Sequence, residues 1–168
     1  MPDKNVIIVA PHPDDEIIGC FEIIKTFPTM IIYDADTPNK RREEAMKLKD
    51  EFDVMVQLFQ KSIPPNFMSA KETVLFFPDP SYETHPLHRQ WGQLGESIAR
   101  SGQNVIFYTT NMNTPYIYET EHSRHKELTL NKFYKSQKSM WAFDHKYFLF
   151  EGYSSWKFDI KGEIYNGQ

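Results

Sequence analysis

Pro11-His12-Pro13-Asp14-Asp15-Glu16 sets an imidazole and three carboxylates side by side. These are groups that ligate divalent cations and that move protons near neutral pH. A proline on each side of His12 restricts the backbone, so the imidazole is held rather than free to swing. Gathering three carboxylates costs free energy unless a cation or acid–base chemistry uses them. A plainer account is also available. Carboxylates in the first turn of a helix offset its positive dipole end, and Pro13 suits such a start. That explains the acids, but not His12 or the paired prolines.

What precedes the turn places it. Val6-Ile7-Ile8-Val9-Ala10 is a continuous apolar run, the pattern of a parallel strand buried on both faces. In an open α/β sheet, chemistry sits just beyond the carboxyl ends of the strands. A second group, Thr84-His85-Pro86-Leu87-His88, follows the apolar run Glu72 to Phe77 and its closing Pro78-Asp79-Pro80. Pro86 suits the first position of a helix, with His85 just before it. A spacing of three lets His85 and His88 project toward one side. His88 could then join His12 and a carboxylate around one cation, a set that zinc accepts with a fourth position left for water. His122-Ser123-Arg124-His125 repeats the spacing after the run Asn104 to Thr109. Pro86 favours the His85/His88 pair. His122 and His125 suit a solvated helix start or the rim of a site.

Pro-His-Pro-Asp-Asp-Glu after an apolar strand resembles the signature of the PIG-L/LmbE-like family, zinc-dependent deacetylases of N-acetylglucosaminyl groups and related amides. Thr84 to His88 is similar to that family's second, His-Pro-Asp-His element. The resemblance implies that His12, Asp15 and His88 are zinc ligands and that Asp14 is the general base. His85 would stabilise the oxyanion or protonate the leaving amine. Arg41 to Glu44 resembles the family's Arg-x-x-Glu helix, whose arginine contacts substrate hydroxyls; taken alone, the same residues make a solvated helix face with ion pairs. Lys126, Leu130, Tyr134, Ser136 and Gln137 resemble a late Lys…Tyr-x-Ser-Gln helix, and Glu151 its closing acid. Tyr134, Ser136 and Gln137 are read as structural. Leu87 stands where the family carries an acid. His85 therefore lacks that partner, and has a lower pKa or another partner such as Glu83. Phe21-Glu22 stand where glycines are usual, and the short chain implies a shallow pocket. Tyr82, Tyr116, Tyr118 and Trp91 could stack on a sugar ring, though core or surface packing is the better account of each taken alone.

The elements that must position these groups follow from periodicity. Helices are expected over Glu16 to Lys25, Asn39 to Phe52, Pro86 to Ser101 and Glu121 to Met140. Strands are expected over Thr29 to Tyr33, Val54 to Phe59, Glu72 to Phe77, Asn104 to Thr109 and Lys146 to Glu151, ahead of an aromatic tail. Lys61 to Ala70, with Pro64-Pro65, reads as a loop or broken helix. The alternation implies one α/β domain over residues 1–168, Rossmann-like, its mostly parallel sheet covered by helices on both faces. No Gly-x-Gly-x-x-Gly follows the first strand, so a dinucleotide site is unsupported. A net charge of −4 gives no field that would favour nucleic acid or an anionic membrane. A lone cysteine, Cys20, rules out an internal disulfide and reads as a small buried hydrophobe. With no leader pattern and no apolar run of spanning length, a soluble cytoplasmic protein is expected. The expected activity is zinc-dependent removal of an N-acyl group from an N-acetylglucosamine-like sugar or related amide. The alternatives are an amidase for a thiol conjugate or modified nucleoside, and a zinc- or sugar-binding relative without turnover.

Overall fold

A computed structural model describes residues 5–59, 73–112, 114, 117–153, 156–159 and 163–166. The expected loop Lys61 to Ala70, and Tyr116, lie outside these residues. The first part of the chain alternates β1 (Asn5–Ala10), α1 (Asp15–Thr26), β2 (Thr29–Asp34), α2 (Asn39–Met46) and β3 (Val54–Phe59). Then come β4 (Thr73–Pro78), α3 (Pro86–Arg100) and β5 (Asn104–Thr109). The remainder comprises β6 (Ile117–Glu119), α4 (Ser123–Phe133), α5 (Lys138–Trp141), α6 (Lys146–Leu149) and β7 (Phe150–Tyr153). A separate two-stranded sheet joins β8 (Trp156–Asp159) to β9 (Glu163–Asn166).

The main sheet runs β3-β2-β1-β4-β5-β7-β6. Its first five strands are parallel, while β7 runs antiparallel to both β5 and β6. From β1 the chain winds out to β3, then returns to the other side of β1 as β4. The carboxyl ends of β1 and β4 therefore lie next to one another where the winding reverses, the place at which such sheets open a crevice.

Successive side chains of a strand point to opposite faces, and β1 is apolar on both. Val6, Ile8 and Ala10 pack into one cluster with Ile17, Cys20 and Phe21 of α1. Ile7 and Val9 pack into the other with Trp91 and Ile98 of α3. Burying each such branched side chain contributes about 1.5–3 kcal/mol. Two glycines let α3 lie directly on the end of β4. A Cβ at Gly92 would stand 2.5 Å from the Pro78 carbonyl oxygen, and one at Gly95 2.6 Å from Cγ of Phe77.

Helix α1 is bent at Cys20, whose φ of −138° and ψ of 29° break the helical ladder. The groups this frees are met from outside the helix. The Lys126 ammonium donates to the Ile18 carbonyl (2.6 Å) and to that of Phe150 (2.9 Å). Glu151 Oε1 accepts from the backbone N–H of Phe21 (2.7 Å) and Glu22 (3.3 Å). Lys126 and Glu151 pair at 3.5 Å with both side chains fully buried.

Three expected elements differ. The helix Asn39 to Phe52 stops at Met46 and tightens into a 3-10 turn, Lys47–Asp50, that buries Leu48. The long helix Glu121 to Met140 is interrupted at Tyr134 (φ −113°, ψ 41°), followed by a 3-10 turn over Lys135–Gln137 before α5. The Tyr134 hydroxyl bonds the buried Glu16 carboxylate, and Ser136 bonds Glu44; these contacts outweigh continuation of the helix. The strand expected from Lys146 starts as the helical turn α6, and only Phe150–Tyr153 is extended. A short apolar run does not by its period distinguish the two. Among the described residues, no helix is long and apolar enough to cross a membrane.

Candidate metal centre

The turn after β1 closes on its own side chains. The His12 N–H donates to Asp15 Oδ2 (2.8 Å), the Asp15 N–H to the His12 carbonyl (3.2 Å), and the Asp14 N–H to Glu16 Oε2 (3.1 Å). Asp14 sits at the cap of α1 with a left-handed backbone, φ 115°. Asp15 and Glu16 occupy the first turn of α1, as the plainer account of the acids expects, and the same turn sets Asp15 beside His12 and His88.

Helix α3 brings the second half. Pro86 is its first residue, and His85 caps it, with Nδ1 accepting from the Leu87 N–H at 3.2 Å. One turn in, His88 is buried against Asp15, its Nε2 lying 3.0 Å from Asp15 Oδ2. His12 Nδ1 lies 3.3 Å from the same oxygen and 3.0 Å from His88 Nε2. The three atoms thus form a triangle with sides of 3.0, 3.0 and 3.3 Å. Ligands about 2.0–2.1 Å from a tetrahedral zinc lie about 3.3–3.4 Å apart, so this donor set fits such an ion with little movement. The ligand atoms of His12, His85 and His88 also lie within 4.8 Å of one another, so three histidines could hold a metal ion.

Behind His88 stands Glu83, also buried. Its Oε2 lies 3.0 Å from His88 Nδ1 and accepts from the Thr110 hydroxyl at 2.9 Å, while Oε1 accepts from the Thr110 N–H. Metal-ligating imidazoles are oriented in this way by a carboxylate on the far nitrogen. Sequence reading offered Glu83 as a partner for His85; the structure gives it to His88. Its signal was weak, because an acid five residues before a histidine has no helical or strand register with it.

Electrostatics mark the same cluster. Burial by itself lowers the pKa of His88, but the Asp15 and Glu83 carboxylates outweigh it and push it up to about 10. Burial opposes ionisation of Asp15, yet the His88 charge and hydrogen bonds from His12 and His88 hold its carboxyl well below the usual range. Burial, then the neighbouring Asp15 and Glu16, raise Asp14 well above its ordinary value, with Arg41 and His88 acting against them. Burial, then the charges of His12 and His88, lower His85. The His88 imidazole, held between the Asp15 and Glu83 carboxylates, favours a positive charge at this point, which a proton or a metal ion supplies.

A cavity of about 380 Å³ opens over the cluster, its wall including Asp14, Arg41, His85, Gln137 and Tyr147. Arg42 is used elsewhere, donating to the carbonyls of Thr37 (2.6 Å) and Ala35 at the loop before α2. Gln137 and Tyr147 were not read from sequence as site residues. The broken helix and the turn α6 bring them there, and neither break was legible. Trp91 is buried and donates to Asp34 Oδ2 at 3.1 Å, which removes it as a stacking surface. The rival pair is engaged away from the cluster. His122 pairs with Glu22 at 2.8 Å, and His125 pairs with Glu51 at 2.9 Å while stacking on Phe52.

The chain was compared with protein-family models, curated proteins and solved structures, and none matches it.

Proposed function

We propose that this protein is a zinc-dependent hydrolase of PIG-L/LmbE type on a Rossmann-like fold, removing an N-acyl group from an acetamido sugar or related amide. The observation that carries the reading is the triangle of His12 Nδ1, Asp15 Oδ2 and His88 Nε2 at the switch point of the sheet, backed by Glu83 and open to the cavity. His12, Asp15 and His88 would hold the ion. His85 takes a different part. Its Nδ1 accepts from the Leu87 N–H, so a neutral ring carries its proton on Nε2 and presents a donor rather than a ligand.

Zinc held by these ligands would supply a Lewis acid that polarises the amide carbonyl and lowers the pKa of a water toward about 7. Asp14, next to the ligand Asp15 and in the cavity wall, accepts the proton of the attacking water. His85 donates from Nε2 to the oxyanion that develops on the carbonyl, an interaction of about 3–4 kcal/mol in comparable sites. Asp14 or His85 returns a proton to the departing amine. Arg41, in the wall beside Asp14, binds hydroxyls of the sugar. A second reading, the same site acting on a non-sugar amide, is favoured by the exposed thioether of Met140 at the cavity wall and by the burial of Trp91.

Elemental analysis of protein purified without added metal tests the site. Wild type should carry about one zinc per chain. His12→Ala and His88→Ala should lose it, and His125→Ala should keep it. Asp14→Ala should retain zinc but release no acetate from an acetamido-sugar panel. A wild type that takes up no transition metal even when zinc is offered sinks the hydrolase reading.

A further inference from the structure

We infer that Gln137 is a substrate-binding residue, its side-chain amide donating a hydrogen bond to an acceptor oxygen of the molecule held in the cavity. The inference rests on the hydrolase reading of this site. Gln137 is 1% exposed, and its Nε2 has no hydrogen-bond partner. A buried donor left unmade is costly and rare, so each one calls for a reason. Among the described residues, the other such atoms are Thr37 Oγ1 and Trp141 Nε1. Gln137 alone of the three lines the cavity over the histidine–aspartate cluster.

The position is built rather than incidental. Helix α4 ends at Phe133, and the 3-10 turn that follows ends on Gln137, whose N–H donates to the Tyr134 carbonyl at 3.0 Å. The neighbouring Ser136 is tied to Glu44, its N–H lying 3.0 Å from Oε1 and its hydroxyl bonding Oε2. Tyr134 is tied to Glu16. Glu44 lies on α2, one turn from Arg41, so Arg41 and Gln137 reach the same cavity from elements bonded to each other. An unpartnered amide on a residue that lines a cavity also holding a guanidinium suits an occupant rich in acceptor oxygens, such as hydroxyls or a carbonyl.

The test uses the zinc-loaded full chain, with Gln137→Met to keep the volume and remove the donor. N-acetylglucosamine is the probe, titrated calorimetrically, and thermal unfolding is followed without it. Gln137→Met should hold the same zinc and unfold at a temperature no lower than wild type, because no internal hydrogen bond is lost. It should bind the sugar about tenfold more weakly. A clearly lower unfolding temperature would show the amide to be paired within the fold and would overturn the inference. Equal sugar binding by variant and wild type overturns it too, leaving the hydrolase reading intact. A wild type that binds zinc but not N-acetylglucosamine overturns both this inference and the acetamido-sugar reading.

Discussion

Asp14 adopts a left-handed backbone, φ 115°, that a side chain takes up at a cost of about 1–3 kcal/mol. It also buries a carboxyl beside two others. Neither feature helps the fold, and both put the carboxyl at the cavity. Asp14→Gly should therefore raise stability by about 1–2 kcal/mol in urea denaturation while abolishing amide hydrolysis. A destabilised Asp14→Gly would mean that the side chain serves the turn instead. At this scale, residue type and spacing carried far. His12, Asp14, Asp15, His85 and His88 could be picked out because the prolines and the apolar runs around them fix local geometry, whereas Arg41 was singled out by the resemblance alone. Glu83 and Gln137 could not. Glu83 reaches His88 through the curl of a loop, and Gln137 reaches the cavity through a break in a helix; neither has a sequence period.

Helix α1 shows how an element can depend on groups remote in sequence. Its bend at Cys20 leaves the Ile18 carbonyl and the Phe21 and Glu22 N–H groups for Lys126 and Glu151 to satisfy. Asp15 starts the same helix, so the buried pair also fixes the carboxylate that sits against His12 and His88. Lys126→Met should cost about 3–5 kcal/mol, because Glu151 is left buried without its counter-charge. A buried pair replaced whole by apolar residues is often neutral. Here the double variant Lys126→Met/Glu151→Leu should remain destabilised by at least about 2 kcal/mol, since backbone groups lose their partners as well. Denaturant midpoints of both variants check this, and full recovery in the double variant would show the backbone contacts to be unimportant. The strands β1, β3 and β5 were legible because their apolar runs have strand length and sharp ends. The breaks in the helices after Met46 and Phe133 were not, since they answer to the burial of Leu48 and to tertiary bonds from Tyr134 and Ser136.

Across the molecule, Glu51 ties the segment after α2 to α4. It accepts from Lys132 at 2.7 Å and lies 2.9 Å from His125 Nε2. Hydrogen bonds from Lys132 and His125 lower its pKa from the ordinary 4.5. The folded chain therefore holds fewer protons here than the unfolded chain. The contribution to stability is present above pH 4.5 and is lost as pH falls through the lower folded value. The melting temperature of Glu51→Gln should lie below that of wild type at pH 7, and the two should converge as pH falls below the lowered folded value. A gap that stays constant across this range would assign the effect to something other than ionisation. The alternation of strands and helices predicted the parallel part of the sheet. The antiparallel β7–β6 edge and the β8–β9 hairpin were unforeseen, because short strands there follow aromatic runs without clear alternation. The order of the sheet also governs how the protein can fold. His12 and His88 are separated by 76 positions and meet only once β1 has found β4. Closing so long a loop is slow compared with forming a helix, so the chain can be largely helical before the two histidines are together. Assembly of the histidine–aspartate cluster thus marks the end of folding rather than its start, and a newly made chain completes that cluster last.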